Sequence, residues 1–184
     1  MLTSSGPTLV VVSGPPRTGK TTLARSIAQA VRCPAICRDE IKEGMVHAQG
    51  GDFEAAAGDS LTRRTLPLFF DVLRMLLAER VSVVAEAAFQ DRLWRQGLEP
   101  LAQLARLRIV QCHTSPAVGR ERRRRDESAH ARLLGDEIEY WERAYASFDR
   151  ISMSAPSLDV DTTDGLVPDL EAIVEFVNRH QALS

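Results

Sequence analysis

The sequence contains little cysteine, few aromatic residues and almost no lysine. Its three cysteines, Cys33, Cys37 and Cys112, are an odd number in a chain of 184 residues. That number argues against a disulfide framework, and no set of cysteines and histidines has the spacing of zinc ligands. Free thiols are typical of proteins in a reducing compartment, so we expect this protein in the cytoplasm.

Long apolar runs are also missing. No stretch approaches the roughly 20 apolar residues that a membrane-spanning helix needs. Residues 1–8 carry no positively charged side chain, and the apolar run at 9–12 is too short for the core of a secretory signal. We therefore expect neither a membrane span nor a secretory signal.

The charges are nearly balanced. The formal net charge is −2, which gives no global basic field to attract a nucleic acid or a membrane. Apolar residues make up 44% and charged residues 26%, as in globular proteins, and the length suits one core. Of the 23 basic residues only Lys20 and Lys42 are lysines. They are candidates for roles that need a compact ammonium group rather than a planar guanidinium.

Short apolar runs alternate with segments of helical periodicity, which predicts an α/β protein with a parallel sheet. Strands are predicted at 9–13, 34–37, 81–86, 107–112 and 157–161. Right-handed crossover connections then place helices on both faces of the sheet. We expect one domain over residues 1–184. Its predicted fold is a three-layer α/β/α sandwich with a mostly parallel five-stranded sheet and a helical lid at about 116–135.

Residues 14–21 read Gly-Pro-Pro-Arg-Thr-Gly-Lys-Thr and match the phosphate-loop pattern G-x-x-x-x-G-K-[ST] at every fixed position. The glycines let backbone N–H groups approach a phosphate, the lysine reaches the β- and γ-phosphates, and the threonine hydroxyl coordinates magnesium. The loop therefore predicts binding of ATP with Mg²⁺, and it places the predicted α/β/α sandwich in the P-loop NTPase fold class. The predicted binding residues are Gly14, Pro15, Pro16, Arg17, Thr18, Gly19, Lys20, Thr21 and Thr22, with Thr21 as a metal ligand. Arg17 could contact the transferred phosphate or face solvent.

A second group of polar residues follows the second predicted strand, in the segment Cys-Arg-Asp-Glu-Ile-Lys at 37–42. Ligands of open α/β sheets bind beyond the carboxyl ends of the strands. A carboxylate at this position, Asp39, can accept the proton of an attacking hydroxyl. Asp39 could instead be the N-cap of the next helix, and one residue can serve in both ways.

The segment Gly-Pro-Pro-Arg-Thr-Gly-Lys-Thr-Thr-Leu-Ala-Arg, with Arg-Asp-Glu-Ile-Lys after the next strand, resembles one group of P-loop kinases. This group includes polynucleotide 5′-kinases, zeta toxins and chloramphenicol phosphotransferases. The resemblance implies transfer of the γ-phosphate of ATP to a hydroxyl group, with Asp39 as the general base. It also implies that Glu86, at the end of the third strand, lies near the acceptor or the magnesium.

The resemblance further places Lys42 where polynucleotide kinases have an arginine that contacts the reacting phosphates, so Lys42 is a candidate catalytic residue. Lysine lacks the bidentate fork of arginine, which makes a nucleic-acid acceptor less favoured than a small molecule. The acceptor is expected to enter over residues 49–64, where Arg63 and Arg64 could hold an anionic group. The sequence leaves open the acceptor, the preference for ATP or GTP, and the oligomeric state.

Five arginines occupy six positions at 120–125. In kinases of this architecture, lid arginines close over the ATP phosphates and stabilise the transferred charge. Arg120 and Arg124 share a helix face at four-residue spacing. They are the predicted lid residues, Arg120 for nucleotide binding and Arg124 for catalysis. A solvated charged helix and a nucleic-acid patch are the alternatives, although no aromatic residue for base stacking lies between positions 114 and 139.

The sequence therefore favours an ATP-dependent kinase for a small-molecule hydroxyl. The alternatives are a polynucleotide 5′-hydroxyl kinase, a nucleoside monophosphate kinase, and a nucleotide switch that is not a kinase. A phosphate loop by itself is compatible with all of them. The acidic residues after the second and third strands are the features that favour a kinase.

Overall fold

The computed structural model describes residues 6–48, 60–125 and 138–179. In these ranges, parallel strands alternate with helices along most of the chain. The elements are β1 (Thr8–Ser13), α1 (Lys20–Val31), β2 (Ala35–Cys37), α2 (Arg38–Ala48), α3 (Ser60–Ala78), β3 (Val83–Glu86), α4 (Asp91–Ala102), β4 (Arg106–His113), α5 (Pro116–Arg124), α6 (Ile138–Ala146), β5 (Ser157–Asp161) and α7 (Leu170–Asn178).

The five strands form one sheet in the order β2-β3-β1-β4-β5. Every neighbouring pair in the sheet is parallel. All six residues of the central strand β1 are buried, which is the consequence of covering both faces of a parallel sheet with helices. The predicted α/β fold is confirmed, and the described sheet is fully rather than mostly parallel.

Two apolar clusters lie on opposite faces of this sheet. One face packs against α3 and α4 and contains an aromatic group formed by Phe69, Phe70, Phe89 and Trp94. The other face packs against α1 and α7 through side chains that include Leu23. The three layers expected from the sequence are therefore present, and they leave the carboxyl ends of the strands uncovered by these clusters.

Pro67 in the sequence of α3 predicts that the helix kinks or restarts there. The prediction of a restart is wrong. The helix runs without a break from Ser60 to Ala78 with Pro67 inside it. A buried stripe that includes Leu61 and Phe69 spans the proline, and its packing outweighs the loss of one backbone hydrogen bond. Two predicted segments, residues 49–59 of the acceptor entrance and residues 126–137 of the lid, lie outside the described residues. No described helix has both the length and the hydropathy needed to cross a membrane.

Gly97 is a point of close packing between α4 and α3. A Cβ atom at Gly97 would lie 2.2 Å from Cζ of Phe70, inside the aromatic cluster. We expect Gly97→Ala to lower the free energy of unfolding by about 1–3 kcal/mol, because the close-packed cluster must rearrange to admit the methyl group. Urea denaturation followed by circular dichroism measures this change.

Gly44 provides the matched control. It also lies within a helix, α2, but among the described residues no atom beyond its chain neighbours and the backbone of its own helix is within 4 Å of its Cβ position. Gly44→Ala should raise the free energy of unfolding by about 0.5–1 kcal/mol, because alanine loses less backbone entropy on folding. Equal effects of the two substitutions would contradict the packing assigned to Gly97.

Candidate active site

A cleft of about 480 Å³ lies at the carboxyl edge of the sheet. It is bordered by the phosphate loop, the first turns of α1 and α2, the end of β3, and one residue of α5. Its lining residues are Pro16, Arg17, Gly19, Lys20, Thr21, Thr22, Arg25, Cys37, Asp39, Glu40, Glu43, Glu86, Ala88 and Arg122. The phosphate loop, Asp39 and Glu86, which the sequence places far apart, therefore share one cleft.

The backbone of the phosphate loop adopts conformations that few residues tolerate. Gly14 has φ +150°, and a Cβ atom there would lie 2.2 Å from the carbonyl oxygen of Cys112. Gly19 has φ 77° and is the N-cap of α1, yet no side chain caps the first turn of this helix. Arg17 also has positive φ, 61°, which is uncommon outside glycine. The loop therefore presents an uncapped helix N-terminus to the cleft, which suits a phosphate group.

Three consecutive carbonyl groups of this loop accept hydrogen bonds from other parts of the fold. The donors are the Tyr145 hydroxyl to Pro16 at 2.8 Å, the Arg122 guanidinium to Arg17 at 3.3 Å, and the Thr162 hydroxyl to Thr18 at 2.8 Å. Helices α5 and α6 and the turn after β5 thus each fix one peptide group. These contacts hold the backbone of the phosphate loop in place beside the cleft.

Lys20 is buried at the base of the cleft. Its Nζ donates a hydrogen bond of 2.8 Å to the carbonyl oxygen of Pro15. Burial lowers the pKa of the Lys20 ammonium, and the nearby carboxylate of Glu86 opposes this shift. A buried cation beside a helix N-terminus favours the binding of an anion, because a bound anion compensates for the hydration that the cation loses on burial.

Two side chains with oxygen atoms of the kind that Mg²⁺ binds, Thr21 and Glu86, meet where β3 ends. The Thr21 hydroxyl donates to Oε2 of Glu86 at 3.0 Å, and Glu86 is 4% exposed. Burial raises the pKa of the Glu86 carboxyl, while Lys20 and the Thr21 hydroxyl oppose this shift. Mg²⁺ is commonly held by one or two protein oxygens together with water and substrate phosphates. Thr21 and Glu86 fit that requirement, and no larger group of metal-binding side chains occurs among the described residues.

Asp39 is the second residue of α2, so it lies inside the helix and not at the N-cap position. Its side chain lines the cleft and is 55% exposed, and Arg38 donates to Oδ1 at 2.7 Å. Cys37 pairs with Glu86 across the sheet, which brings the start of α2 beside the end of β3. Asp39, just after the end of β2, and Glu86, at the end of the neighbouring strand β3, therefore border the same cleft.

Among the described arginines of the predicted lid, Arg122 is the one that lines the cleft, and the sequence did not single it out. Arg120 and Arg124 lie on the same helix, outside the cleft lining, and Arg124 is exposed. The residue of the sequence that points to Arg122 is Gly119, which lacks a side chain where α5 packs closely. A Cβ atom at Gly119 would lie 2.0 Å from the Tyr145 hydroxyl oxygen. Close packing of Gly119 against α6 sets the rotation of α5, and Arg122, three residues on, then lies near the phosphate loop.

Lys42 does not line the cleft. Its Nζ donates to the Thr62 hydroxyl at 2.8 Å, which links α2 to α3. Pro16, Arg17 and Thr22 all line the cleft, whereas Pro15 and Thr18 support the loop from beneath through their mutual hydrogen bond of 3.0 Å.

Comparison with solved structures places this cleft in a known fold. A candidate kinase from Chloroflexus aurantiacus J-10-fl has a TM-score of 0.81 at 24% identity, covering 97% of this chain and 100% of its own. A gluconokinase from Sinorhizobium meliloti 1021 has a TM-score of 0.61 at 20% identity, with 94% and 93% covered. Chaetomium thermophilum Kti12, solved with ADP-AlF3, has a TM-score of 0.60 at 17% identity, with 93% and 95% covered.

These likenesses show that the fold is that of the P-loop kinases. No protein of curated function matches the sequence. The family model described as AAA domain, AAA_33, matches residues 9–148. This match includes the phosphate loop, both acidic positions and α5. Because it spans more than half of the chain, the chain belongs to the AAA domain family AAA_33.

Proposed function

We propose that this chain is an ATP- and magnesium-dependent phosphotransferase that moves the γ-phosphate of ATP to a hydroxyl group of a small molecule. One observation carries the proposal. The cleft combines a phosphate loop, which many kinds of NTPase share, with an unburied carboxylate, Asp39, in the same lining. A nucleotide-binding module or a motor needs only the phosphate loop. A kinase for alcohols also needs a group that accepts the hydroxyl proton.

The proposed reaction is an in-line displacement. The acceptor oxygen forms a bond to the γ-phosphorus, the bond from that phosphorus to the β–γ bridging oxygen breaks, and Asp39 takes the hydroxyl proton. Lys20 and the N–H groups at the start of α1 bind the phosphates and neutralise their charge. Thr21 and Glu86 would hold Mg²⁺, which supplies Lewis-acid stabilisation of phosphate charge when bound.

The free thiols of the chain support a reducing compartment, the cytoplasm, as the place of this reaction. Cys37 and Cys112 are buried and Cys33 is half-buried, and all three are unbridged. Burial raises the pKa of the Cys112 thiol to about 12. The cysteines are therefore expected to be structural side chains with little reactivity toward oxidants.

The experiment that tests the proposal measures ADP formation with magnesium and ATP, with and without hydroxyl acceptors. The acceptors are 5′-hydroxyl oligonucleotides, aminoglycosides, chloramphenicol-like alcohols, sugars and UDP-sugars. We expect one small-molecule class to stimulate turnover and to receive label from γ-labelled ATP. Hydrolysis that no acceptor changes would contradict the proposal and favour a nucleotide switch. Labelling of the oligonucleotides would favour a polynucleotide kinase.

Arg122 is expected to contribute to turnover more than any other arginine of α5. It contacts the phosphate loop at Arg17 and the turn after β5 at Thr162. We expect Arg122→Met to lower kcat/KM for ATP by about tenfold or more, because a positioned cation at the phosphates is lost. Steady-state kinetics with varied ATP measures this effect.

Arg125→Met is the matched control for this prediction. Arg125 is exposed on the same helix end and pairs with Glu121 at 3.0 Å, away from the cleft. Its substitution should leave kcat/KM within about twofold, as is usual for a surface ion pair. A larger loss from Arg125→Met than from Arg122→Met would show that the arginine at the cleft has been misassigned.

A further inference from the structure

Arg17 has a backbone conformation that is costly for its residue type. Its φ of 61° lies in the left-handed region, which glycine enters readily and a residue with a Cβ atom enters at a cost in free energy. A glycine at this position would make the same turn without strain. Strained residues of this kind persist where the surrounding structure holds them, and they cluster at functional sites. The phosphate loop therefore carries a charged side chain at a position where its backbone favours none.

The fold holds this strained segment through three separate elements. The carbonyl group of Arg17 accepts a hydrogen bond from Arg122, and the carbonyl groups on either side of it accept from Tyr145 and Thr162. Tyr145 is fixed in turn, because its hydroxyl packs closely against Gly119. These contacts come from α5, α6 and the turn after β5. Together they keep the left-handed conformation in place, which a strained residue requires.

The side chain of Arg17 acts on the part of the cleft that contains Lys20. Arg17 lines the cleft and is half-buried. Burial is the main cause of the lowered pKa of the Lys20 ammonium, and the positive charge of Arg17 lowers that pKa further. The two cations therefore repel each other across the phosphate loop. A phosphate group bound beside them would attract both charges.

Arg122 also lines the cleft, but its guanidinium is a brace for the loop. Its Nη1 donates to the carbonyl oxygen of Arg17 and to the Thr162 hydroxyl, and its Nη2 donates to the carbonyl oxygen of Thr162. Both terminal nitrogens therefore contact the protein itself. Arg122 thus has two effects, since it adds charge to the cleft and fixes the backbone of Arg17.

We infer that Arg17 is a catalytic residue of the proposed reaction and that its guanidinium donates hydrogen bonds to the γ-phosphate as this group is transferred. The inference rests on the proposed function, because it assigns a residue to the same reaction. The bonds that form and break are those of the in-line displacement, and Arg17 gives up no proton, since arginine stays protonated in proteins. Negative charge spreads over the equatorial oxygens of the phosphoryl group in the transition state, and a planar guanidinium can bind two of them at once.

Arg17→Met tests the catalytic role, since methionine keeps a long side chain but has no charge. We expect kcat for ADP formation, measured with ATP, Mg²⁺ and the same hydroxyl acceptors, to fall by about 10²–10³-fold. The KM for ATP should change by less than about threefold. Arg17→Lys should recover part of kcat, because it restores the charge without the planar fork. An unchanged kcat in Arg17→Met, or a loss confined to ATP affinity, would overturn the inference.

Arg17→Gly and Arg32→Gly form a matched pair that separates strain from chemistry. Arg32 is also an arginine with positive φ, 57°, but it is the exposed C-cap of α1 and lies outside the cleft lining. Both substitutions should raise Tm by about 1–4 °C, because glycine adopts this conformation without strain. Only Arg17→Gly should lower kcat. A joint loss of Tm and kcat in Arg17→Gly would show a structural role, and equal losses of kcat in both variants would show a general effect of removing an arginine. Either result would contradict the inference.

A third measurement needs no acceptor. Aluminium fluoride bound beside ADP and Mg²⁺ imitates the phosphoryl group during transfer, and calorimetry measures its effect on the affinity for ADP. We expect aluminium fluoride to raise this affinity by about tenfold or more in the wild type and in Arg32→Gly, as for other mimics of a transition state. Arg17→Met should lose most of this gain, while its affinity for ADP alone should stay within about threefold. An equal gain in Arg17→Met and the wild type, or no gain in the wild type, would refute the role of Arg17.

Failure of the proposed function gives a different result. It would appear as ATP hydrolysis that no hydroxyl compound changes, and such hydrolysis still transfers a phosphoryl group, in that case to water. The measurement with aluminium fluoride contains no acceptor and needs no general base, so it reports on Arg17 whichever acceptor is used. The two conclusions can therefore fail separately.

Discussion

Asp39→Asn is expected to lower acceptor-dependent turnover by about 10²–10⁴-fold, the usual effect of removing a general base. Asparagine keeps the size of the side chain and its place in the first turn of α2 but cannot take a proton from the acceptor hydroxyl. Asp39 lies on α2 and not in the phosphate loop, so the substitution changes no phosphate-loop residue. ATP affinity should therefore stay within about threefold of the wild-type value. Single-turnover kinetics, together with an ATP titration by calorimetry, measures both quantities.

The control for this prediction is Asp71→Asn. Asp71 is an exposed residue of α3 that pairs with Arg74 at 2.6 Å, and it lies outside the cleft lining. Its loss should leave turnover unchanged within experimental error, because an exposed helix pair contributes little. Full activity of Asp39→Asn would eliminate the proposed base. A loss of ATP binding in that variant would instead assign Asp39 to the nucleotide site.

Lys20→Ala is expected to raise the Kd for ATP by about 100-fold or more and to abolish turnover. The ammonium of Lys20 is buried beneath the phosphate loop and is the cation best placed to pair with bound phosphates. A charge-assisted hydrogen bond in a partly buried site contributes about 1.5–3 kcal/mol, and the accompanying Coulombic attraction to several phosphate charges adds to it. Calorimetric titration with ATP and magnesium measures the loss of affinity.

The other lysine of the chain supplies the comparison. Lys42→Ala removes the hydrogen bond to Thr62 between α2 and α3 and changes no residue that lines the cleft. We expect it to retain ATP affinity within about threefold. A large loss of kcat with unchanged ATP affinity would support the catalytic role that the family resemblance implies for Lys42. Equal losses of ATP affinity in the two lysine variants would contradict the assignment of Lys20.

Much of the fold could be predicted because its signals are local. The apolar runs of β1, β3 and β4 are β-rich segments bounded by turns, and the crossover rule orders the connections between parallel strands. Burial of all six residues of β1 agrees with its position at the centre of the sheet. The carboxyl ends of parallel strands lie at the same edge of a sheet, so the polar residues after β2 and at the end of β3 are expected at one edge. The structure has Asp39 and Glu86 in one cleft.

The orientation of α5 could not be predicted from its own residues. The four-residue spacing favoured Arg120 and Arg124 over Arg122, but spacing shows only which residues share a face, not which face turns towards the site. The rotation is set by contacts outside the helix, where Gly119 fits beneath Tyr145 and Arg122 contacts Thr162. Arg122 also contacts Arg17, 105 positions away in the chain. No local pattern encodes such contacts.

The sequence by itself determined the phosphate loop, the parallel α/β fold and the acidic positions at the strand ends, because each depends on residue type and short-range spacing. Tertiary structure alone decided that Arg122 lines the cleft, that Lys42 contacts Thr62, and that three carboxylates of α2 line the cleft. The physical reason is that the rotation of a helix about its axis is fixed by packing against neighbours distant in sequence. Those neighbours decide which side chains of α2 and α5 reach the cleft.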